Sequence, residues 1–140
     1  MNTKSFITGG LLAGIVYFFL GWLVFGIILA DTMRGHMNES LVRKDEDIVF
    51  WALILGNLCY GFLLSYIFQQ IGINSARRGS AAGATIGLIT SLTFDLNFFG
   101  TSTMYKDLMV VAFNASAFLV ISAITGLVLG QWMGRKVVNS

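Results

Sequence analysis

The chain contains no proline and a single cysteine, Cys59, and only 11% of its 140 residues are charged. A lone cysteine excludes an internal disulfide and the paired-cysteine chemistry of membrane oxidoreductases. Soluble domains carry about 25% charged residues, so the scarcity of charge argues against an ordinary soluble fold. Cys59 itself is predicted to be a small, buried, apolar side chain.

Long stretches without charge dominate the chain instead. They occupy residues 5–30, 48–76, 79–105 and 108–134, and Asp95 is the one charge inside them. Each stretch exceeds the roughly 20 helical residues that cross a bilayer. The sequence therefore predicts an all-α integral membrane protein, a four-helix transmembrane bundle forming a single domain over 1–140. The spans are expected near 6–29, 48–70, 80–100 and 109–132.

Two features of the layout stay open at this point. Gly9 and Phe25 of the first span match Gly83 and Phe99 of the third at one offset, which favours two repeated helical hairpins. The polar extramembrane loop 31–47 is expected either to hold a short surface helix or to extend the second span. Its Met33, His36 and Met37 have the spacing of a soft metal site, but without cysteine an ordinary exposed loop is preferred.

The basic residues predict the orientation. With four spans both termini lie on one side, which carries five basic residues and no acid: Lys4, Arg77, Arg78, Arg135 and Lys136. The other side carries four basic residues, diluted by six acids: Arg34, Arg43, Lys44 and Lys106. Because Lys and Arg concentrate on the cytoplasmic side, we expect a multi-pass protein of the inner membrane with both termini in the cytoplasm. The basic residues form no continuous face, so no nucleic acid partner is expected.

Small residues recur at four-residue spacing in three spans. The rows are Gly10 and Gly14; Gly83, Gly87 and Ser91; and Ser122, Gly126, Gly130 and Gly134. Such rows allow helix backbones to approach closely, so helix packing is predicted along them. Spacing does not say whether the packing occurs within one chain or between chains.

Asp95 continues the row of small residues in the third span, which predicts that its side chain faces a neighbouring helix. The polar row Asn57, Gly61, Ser65 and Gln69 makes the second span the expected partner. Counting residues at about 1.5 Å each places several polar side chains at the depth of Asp95. They are Asn57, Asn97, Asn114, Ser91, Thr93 and Tyr60. The helix is expected to unwind near Gly100.

Two interpretations of this polar cluster remain open. In the first, Asn57 and Asn114 donate hydrogen bonds to Asp95 and the network specifies how the helices pack. In the second, the cluster lines a water-filled pocket for a cation, a proton or the polar head of a lipophilic ligand.

The chain resembles a group of known membrane proteins at Phe94-Asp95-Leu96-Asn97. Small four-span bacterial inner-membrane families of unknown function carry an aromatic-Asp-Leu-Thr-Asn element late in the third span, although its threonine is absent here. The resemblance covers the last two spans, with Gly83, Gly87 and the Asn114 region, and it implies a fold without an activity. A looser similarity connects the chain to dual-topology fluoride channels. Small multidrug transporters share its size but have a first-span glutamate that this chain lacks.

Paired carboxylates, HExxH and Ser/His/Asp sets are missing from the sequence, so no enzyme, no catalytic residue and no cofactor or metal is predicted. The expected function is that of a non-enzymatic membrane protein surrounded by lipid, either a homo-oligomer or an accessory subunit of a larger membrane complex. The alternative is a small ion- or proton-coupled transporter or channel with Asp95 as its binding site.

Overall fold

The computed structural model describes residues 2–138, with side chains through Arg135, and these residues form helices, turns and one isolated two-residue bridge. The helices are α1 (Thr3–Leu23), α2 (Ala30–His36), α3 (Phe50–Gln70), α4 (Ala76–Thr101) and α5 (Met109–Val138). Four segments are long and apolar enough to cross a membrane: Thr3–Ile28, Phe50–Gln70, Ala76–Thr101 and Met109–Arg135. The predicted all-α, four-helix transmembrane fold is confirmed.

Local chemistry explains where the helices begin and end. The side chain of Asn2 caps α1 by accepting a hydrogen bond from the backbone N–H of Ser5 at 3.1 Å. After Leu23 the helix widens into a π-helical turn, Val24–Ile28, and α2 follows as the short surface helix expected in the loop. Gly72 adopts a φ of 66°, the left-handed conformation that allows the tight turn between α3 and α4.

The helix α4 ends at Thr101, one residue after Gly100, near which the sequence predicts that it unwinds. The backbone N–H of Ser102 donates to the carbonyl oxygen of Phe98 at 3.0 Å. The side-chain hydroxyl of Thr101 also donates to the carbonyl oxygen of Asn97 at 2.7 Å. These two bonds satisfy carbonyl groups that a helix end otherwise leaves unpaired.

The four long helices lie in the order α3, α1, α5, α4. The most extensive contacts are between α4 and α5 and between α1 and α3, while α1 and α5 join the two pairs. Among the described residues, α3 and α4 make almost no direct contact. The buried share of the most apolar stretch is 44% in α5 but only 17% in α1 and in α3, so α5 is the central helix.

The row of small residues in α4 packs directly on the row in α5. A methyl group added at Gly83 would overlap the carbonyl oxygen of Ser122, and one added at Gly79 would overlap that of Gly126. The two backbones therefore touch along this α4–α5 seam, as the spacing predicted, and the seam lies within one chain. Glycine is needed because a side chain would separate the helices.

The polar row of α3 packs on α1, whereas the sequence predicted that it packs on α4. Gly61 of α3 lies against the backbone of Gly10 and Gly14 in α1, and the hydroxyl of Ser65 donates to the carbonyl oxygen of Phe6 at 3.0 Å. The prediction that this face of α3 meets the Asp95 face of α4 is therefore wrong. Both faces are lined with small residues. The face of α3 packs on α1, and the face of α4 packs on α5.

Cys59 is exposed on the surface of α3, so its predicted burial is also wrong. Its neighbour Leu58 takes the position against α1, where its backbone faces Gly14. Adjacent helical residues point about 100° apart, so only one of the two can face α1.

The α4–α5 seam provides a test of the fold. Gly83→Ala places a methyl group against the Ser122 carbonyl, and we expect it to lower the free energy of unfolding in detergent by about 1–3 kcal/mol. Gly100→Ala in the same helix is the matched control, because no atom lies within 4 Å of the added carbon. Thermal unfolding followed by circular dichroism measures both. Equal melting temperatures for the two variants would contradict the seam.

Candidate functional site

Asp95 is buried between α4 and α5 near the end of the bundle that holds the α4–α5 connection. Its side chain follows Gly83, Gly87 and Ser91 along the row that faces α5. Only 6% of its surface is exposed, and Asn114 on the facing helix is 7% exposed. The close contact of the two backbones therefore brings a carboxyl group and an amide together inside a largely apolar protein.

Three side chains donate hydrogen bonds to the Asp95 carboxyl group. The hydroxyl of Ser91 donates to Oδ2 at 2.5 Å, and the amide Nδ2 of Asn114 donates to Oδ1 at 2.8 Å. The hydroxyl of Tyr105, in the connection between α4 and α5, also donates to Oδ1 at 2.9 Å. These four residues are called the Asp95 cluster. Two of the three donors bond Oδ1 and one bonds Oδ2, so both oxygens of the carboxyl group accept hydrogen bonds.

Backbone pairing between two loops holds Tyr105 over Asp95. Residues 36–38 of the first loop run antiparallel to residues 104–106, with Met37 opposite Tyr105. The N–H of Asn38 donates to the Met104 carbonyl at 2.8 Å, and the N–H of Lys106 donates to the His36 carbonyl at 2.9 Å. We call this pairing the loop bridge. It closes the end of the Asp95 cluster with chain from outside the spans.

The Tyr105 ring is also packed against Phe98 of α4, with the ring centres 5.4 Å apart. Burial, and next the hydrogen bond to Asp95, raise the pKa of Tyr105 to about 12. The hydroxyl therefore keeps its proton at any physiological pH and remains a donor to Asp95.

A hydrogen bond between His36 and Asp107 supports the loop bridge from its outer side. The Nδ1 atom of His36 lies 2.8 Å from Oδ2 of Asp107, and the imidazole ring rests against Phe113 of α5. The hydrogen bond from His36 lowers the pKa of Asp107. One ring nitrogen of His36 thus faces a carboxylate from the other loop.

Four of the residues predicted for the cluster lie elsewhere. The amides of Asn57 and Asn97 donate within their own helices, to the carbonyl oxygens of Leu53 at 2.6 Å and Thr93 at 2.8 Å. Thr93 donates to Ile89 of its own helix, at 2.8 Å, and is exposed. The expectation that Asn57 hydrogen-bonds Asp95 is therefore wrong, because α3 packs on α1 and stays away from α4.

Tyr60, the fourth of these residues, belongs to a second polar contact. Its hydroxyl lies 3.0 Å from the hydroxyl of the fully buried Ser122, and its ring packs on Tyr17 with the centres 4.3 Å apart. Ser122 follows Asn114 by two helical turns, about 12 Å along α5. This contact joins α3 to α5 near the middle of the bundle and is separate from the Asp95 cluster.

Sequence reasoning missed Tyr105 as a member of the site. A tyrosine near the end of a span is common at the membrane boundary, so its position did not indicate a role in the site. One feature of the sequence could have indicated Tyr105. The short segment between Thr101 and Met109 connects the ends of α4 and α5, and Tyr105 is its only aromatic residue. Its pairing with residues 36–38 required the folded structure.

Comparisons of the chain with protein-family profiles, curated proteins and solved structures found no match. The site must therefore be interpreted from its own chemistry. A buried carboxylate with three donors can fix the relative position of the segments that supply them. It can also accept a proton or bind a cation, because Oδ2 accepts one hydrogen bond from Ser91 and has a second lone pair.

Tyr105→Phe tests the closure of the site, because it removes one donor and leaves the ring. We expect the free energy of unfolding to fall by about 1.5–3 kcal/mol, the range for hydrogen bonds to charged groups. Tyr66→Phe is the matched control, since Tyr66 is 45% exposed on α3. Thermal unfolding in detergent measures the difference. A Tyr105→Phe variant as stable as Tyr66→Phe would show that the bond to Asp95 contributes nothing.

The His36–Asp107 pair predicts a pH dependence of the loop bridge. Because the pKa of Asp107 is lowered in the folded protein, the pair stabilises the bridge above the ordinary carboxyl value of 3.8. Its contribution is lost as the pH falls below that value through the lowered pKa. Hydrogen exchange at the amides of Asn38 and Lys106, corrected for intrinsic rates, should show protection decreasing as the pH falls below 3.8.

Asp107→Asn should reduce this protection already at pH 6 and remove most of its pH dependence. Asp45→Asn, which changes an exposed acid paired with Arg34, should leave the wild-type profile in place. An identical profile for Asp107→Asn and the wild type would contradict the role of the pair.

Proposed function

We propose that this chain is a non-enzymatic, four-span protein of a bacterial inner membrane that works as a subunit of a homo-oligomer or of a larger membrane complex. One observation carries the proposal: the only carboxyl group within the spans accepts hydrogen bonds from three side chains of the chain itself, while most of the apolar helix surface is uncovered. The helix surface is what remains available for lipid and protein partners.

The Asp95 cluster then has a structural role. Its donors come from α4, from the α4–α5 connection and from α5, so one carboxyl group joins three segments. A hydrogen-bond network of this kind contributes most to stability where water is excluded. We infer that it holds the loop bridge against the helices and keeps this end of the protein rigid for assembly.

The distribution of charge supports an orientation with both termini in the cytoplasm. The N–H of Asn2 bonds the side chain of Gln69, and Gly134 contacts the backbone of Asn74, so the start of α1 and the last turns of α5 lie beside the α3–α4 turn. The described basic residues at this end have no acidic neighbour there: Lys4, Arg77, Arg78 and Arg135. The Lys136 side chain lies outside the described part. The positive-inside rule favours the cytoplasm for this end, and the resemblance at Phe94–Asn97 favours an inner membrane.

A transporter or channel that uses Asp95 is the second candidate. The loop bridge favours it, because Tyr105, which bonds the carboxyl group, belongs to a loop that is held to its partner loop by two backbone hydrogen bonds. If the bridge opened, Asp95 would exchange a donor for a proton or a cation.

Asp95→Asn in the full chain distinguishes the two functions. For an assembly subunit, the wild type in nanodiscs should have the mass of a defined oligomer or complex. The variant should be destabilised by about 1.5–3 kcal/mol and assemble less completely, because a charged acceptor is lost. Asp31→Asn, at an exposed acid of α2, is the control.

Proteoliposomes test the second candidate. For the assembly subunit we expect no proton or monovalent cation flux above that of empty vesicles. Flux that depends on pH or on the cation and disappears in Asp95→Asn would overturn the assembly proposal in favour of the transporter. A wild type that is a monomer in nanodiscs and membrane extracts would also overturn it.

A further inference from the structure

One face of α3 is buried in its second half and uncovered in its first half. The residues at alternating spacings of four and three along this face are Phe50, Ile54, Asn57, Gly61, Leu64 and Phe68. Leu64 and Phe68 are fully buried against α1 and α5, whereas Phe50 is 57% exposed and Ile54 is 47% exposed. The side of α3 that faces the core in the second half of the helix is therefore exposed in the first half, where no other described part of the chain covers it.

Asn57 lies at the point where this face becomes uncovered. Its amide uses one N–H on the Leu53 carbonyl, and among the described residues neither its side-chain oxygen nor its second N–H has a partner. An unpaired amide in hydrocarbon costs several kcal/mol, and lipid tails offer no hydrogen bond. The uncovered face thus contains a polar group that requires a partner.

Depth distinguishes Asn57 from the other outward-facing amide, Asn97. The 21 residues of α3 extend over about 31 Å, which only matches the hydrocarbon thickness, and Asn57 lies about 10 Å from the start of the helix. The 26 residues of α4 extend over about 39 Å, and Asn97 is about 6 Å from its end. Asn97 can therefore reach headgroup water, and Asn57 cannot.

We propose that the first half of α3 is a homodimer interface in which Asn57 pairs with Asn57 of a second copy. A primary amide carries both a donor and an acceptor, so two copies related by a two-fold axis satisfy each other reciprocally. The row Phe50, Ile54 and Asn57 then becomes buried like Leu64 and Phe68. This inference rests on the proposed function and specifies its partner and its surface.

Self-association in nanodiscs or by dilution in detergent tests the amide pair. Asn57→Leu should weaken the dimer roughly tenfold, the effect of about 1.4 kcal/mol, while Asn97→Leu should change it less than twofold. Neither substitution removes a contact between helices of one chain, so the melting temperature of the monomer checks that both variants fold.

Disulfide trapping tests the geometry independently. In a Cys59→Ala background, Ile54→Cys should form an intermolecular disulfide in membranes, because residues on the row lie near the two-fold axis. Leu55→Cys, at a residue that is 54% exposed but points about 100° away, should remain largely uncrosslinked.

The outcomes separate this inference from the proposed function. An oligomer whose mass is unchanged in Asn57→Leu, with no preference of Ile54→Cys over Leu55→Cys, would overturn the α3 interface and leave the assembly function standing. A monomeric wild type would overturn both. Lipid would then cover the face.

Discussion

The direct contact between the backbones of α4 and α5 is the constraint on which the rest of the site depends. Along the α4–α5 seam, Gly79 and Gly83 lie against the backbone of the facing helix. This proximity places Asp95 within 2.8 Å of the Asn114 amide. Larger residues in the seam would move the helices apart, and the carboxyl group would lose the donor that α5 supplies. The loop bridge then adds Tyr105, but only because the two helix ends are already adjacent.

Polar side chains in the spans find hydrogen-bond partners either in their own helix or on another segment. Several hydroxyl groups bond a carbonyl four residues earlier in their own helix, as Thr85, Ser116 and Thr125 do. These bonds need no neighbouring helix, so such residues tolerate either lipid or protein around them. Asp95 cannot use this solution, because a carboxylate has no donor for a helix carbonyl. It is therefore tied to donors from other segments, and it holds those segments together.

The same distinction explains which site residues the sequence could predict. Asp95 and Ser91 were identified because a charge in a span and a continuous row of small residues restrict the face on which they lie. The other members were included because they have a similar depth, and of these only Asn114 reaches Asp95: Asn114, Asn57, Asn97, Thr93 and Tyr60. Depth follows from counting residues, but it does not give the direction around the bundle. Two side chains at one level can face different helices, and here they do.

By itself the sequence determined the four spans, the helical class and the rows along which helices pack, because hydrocarbon imposes a length and a close approach requires small residues. The sequence did not determine which helix each row of small residues packs against. The rows of α3 and α4 were each compatible with several neighbouring helices, and the choice depended on contacts between residues far apart in the chain. Only the tertiary structure placed α3 on α1 and α4 on α5, and only it brought Tyr105 over Asp95. A loop's position depends on a partner loop about 70 residues away, as the bond between His36 and Asp107 illustrates.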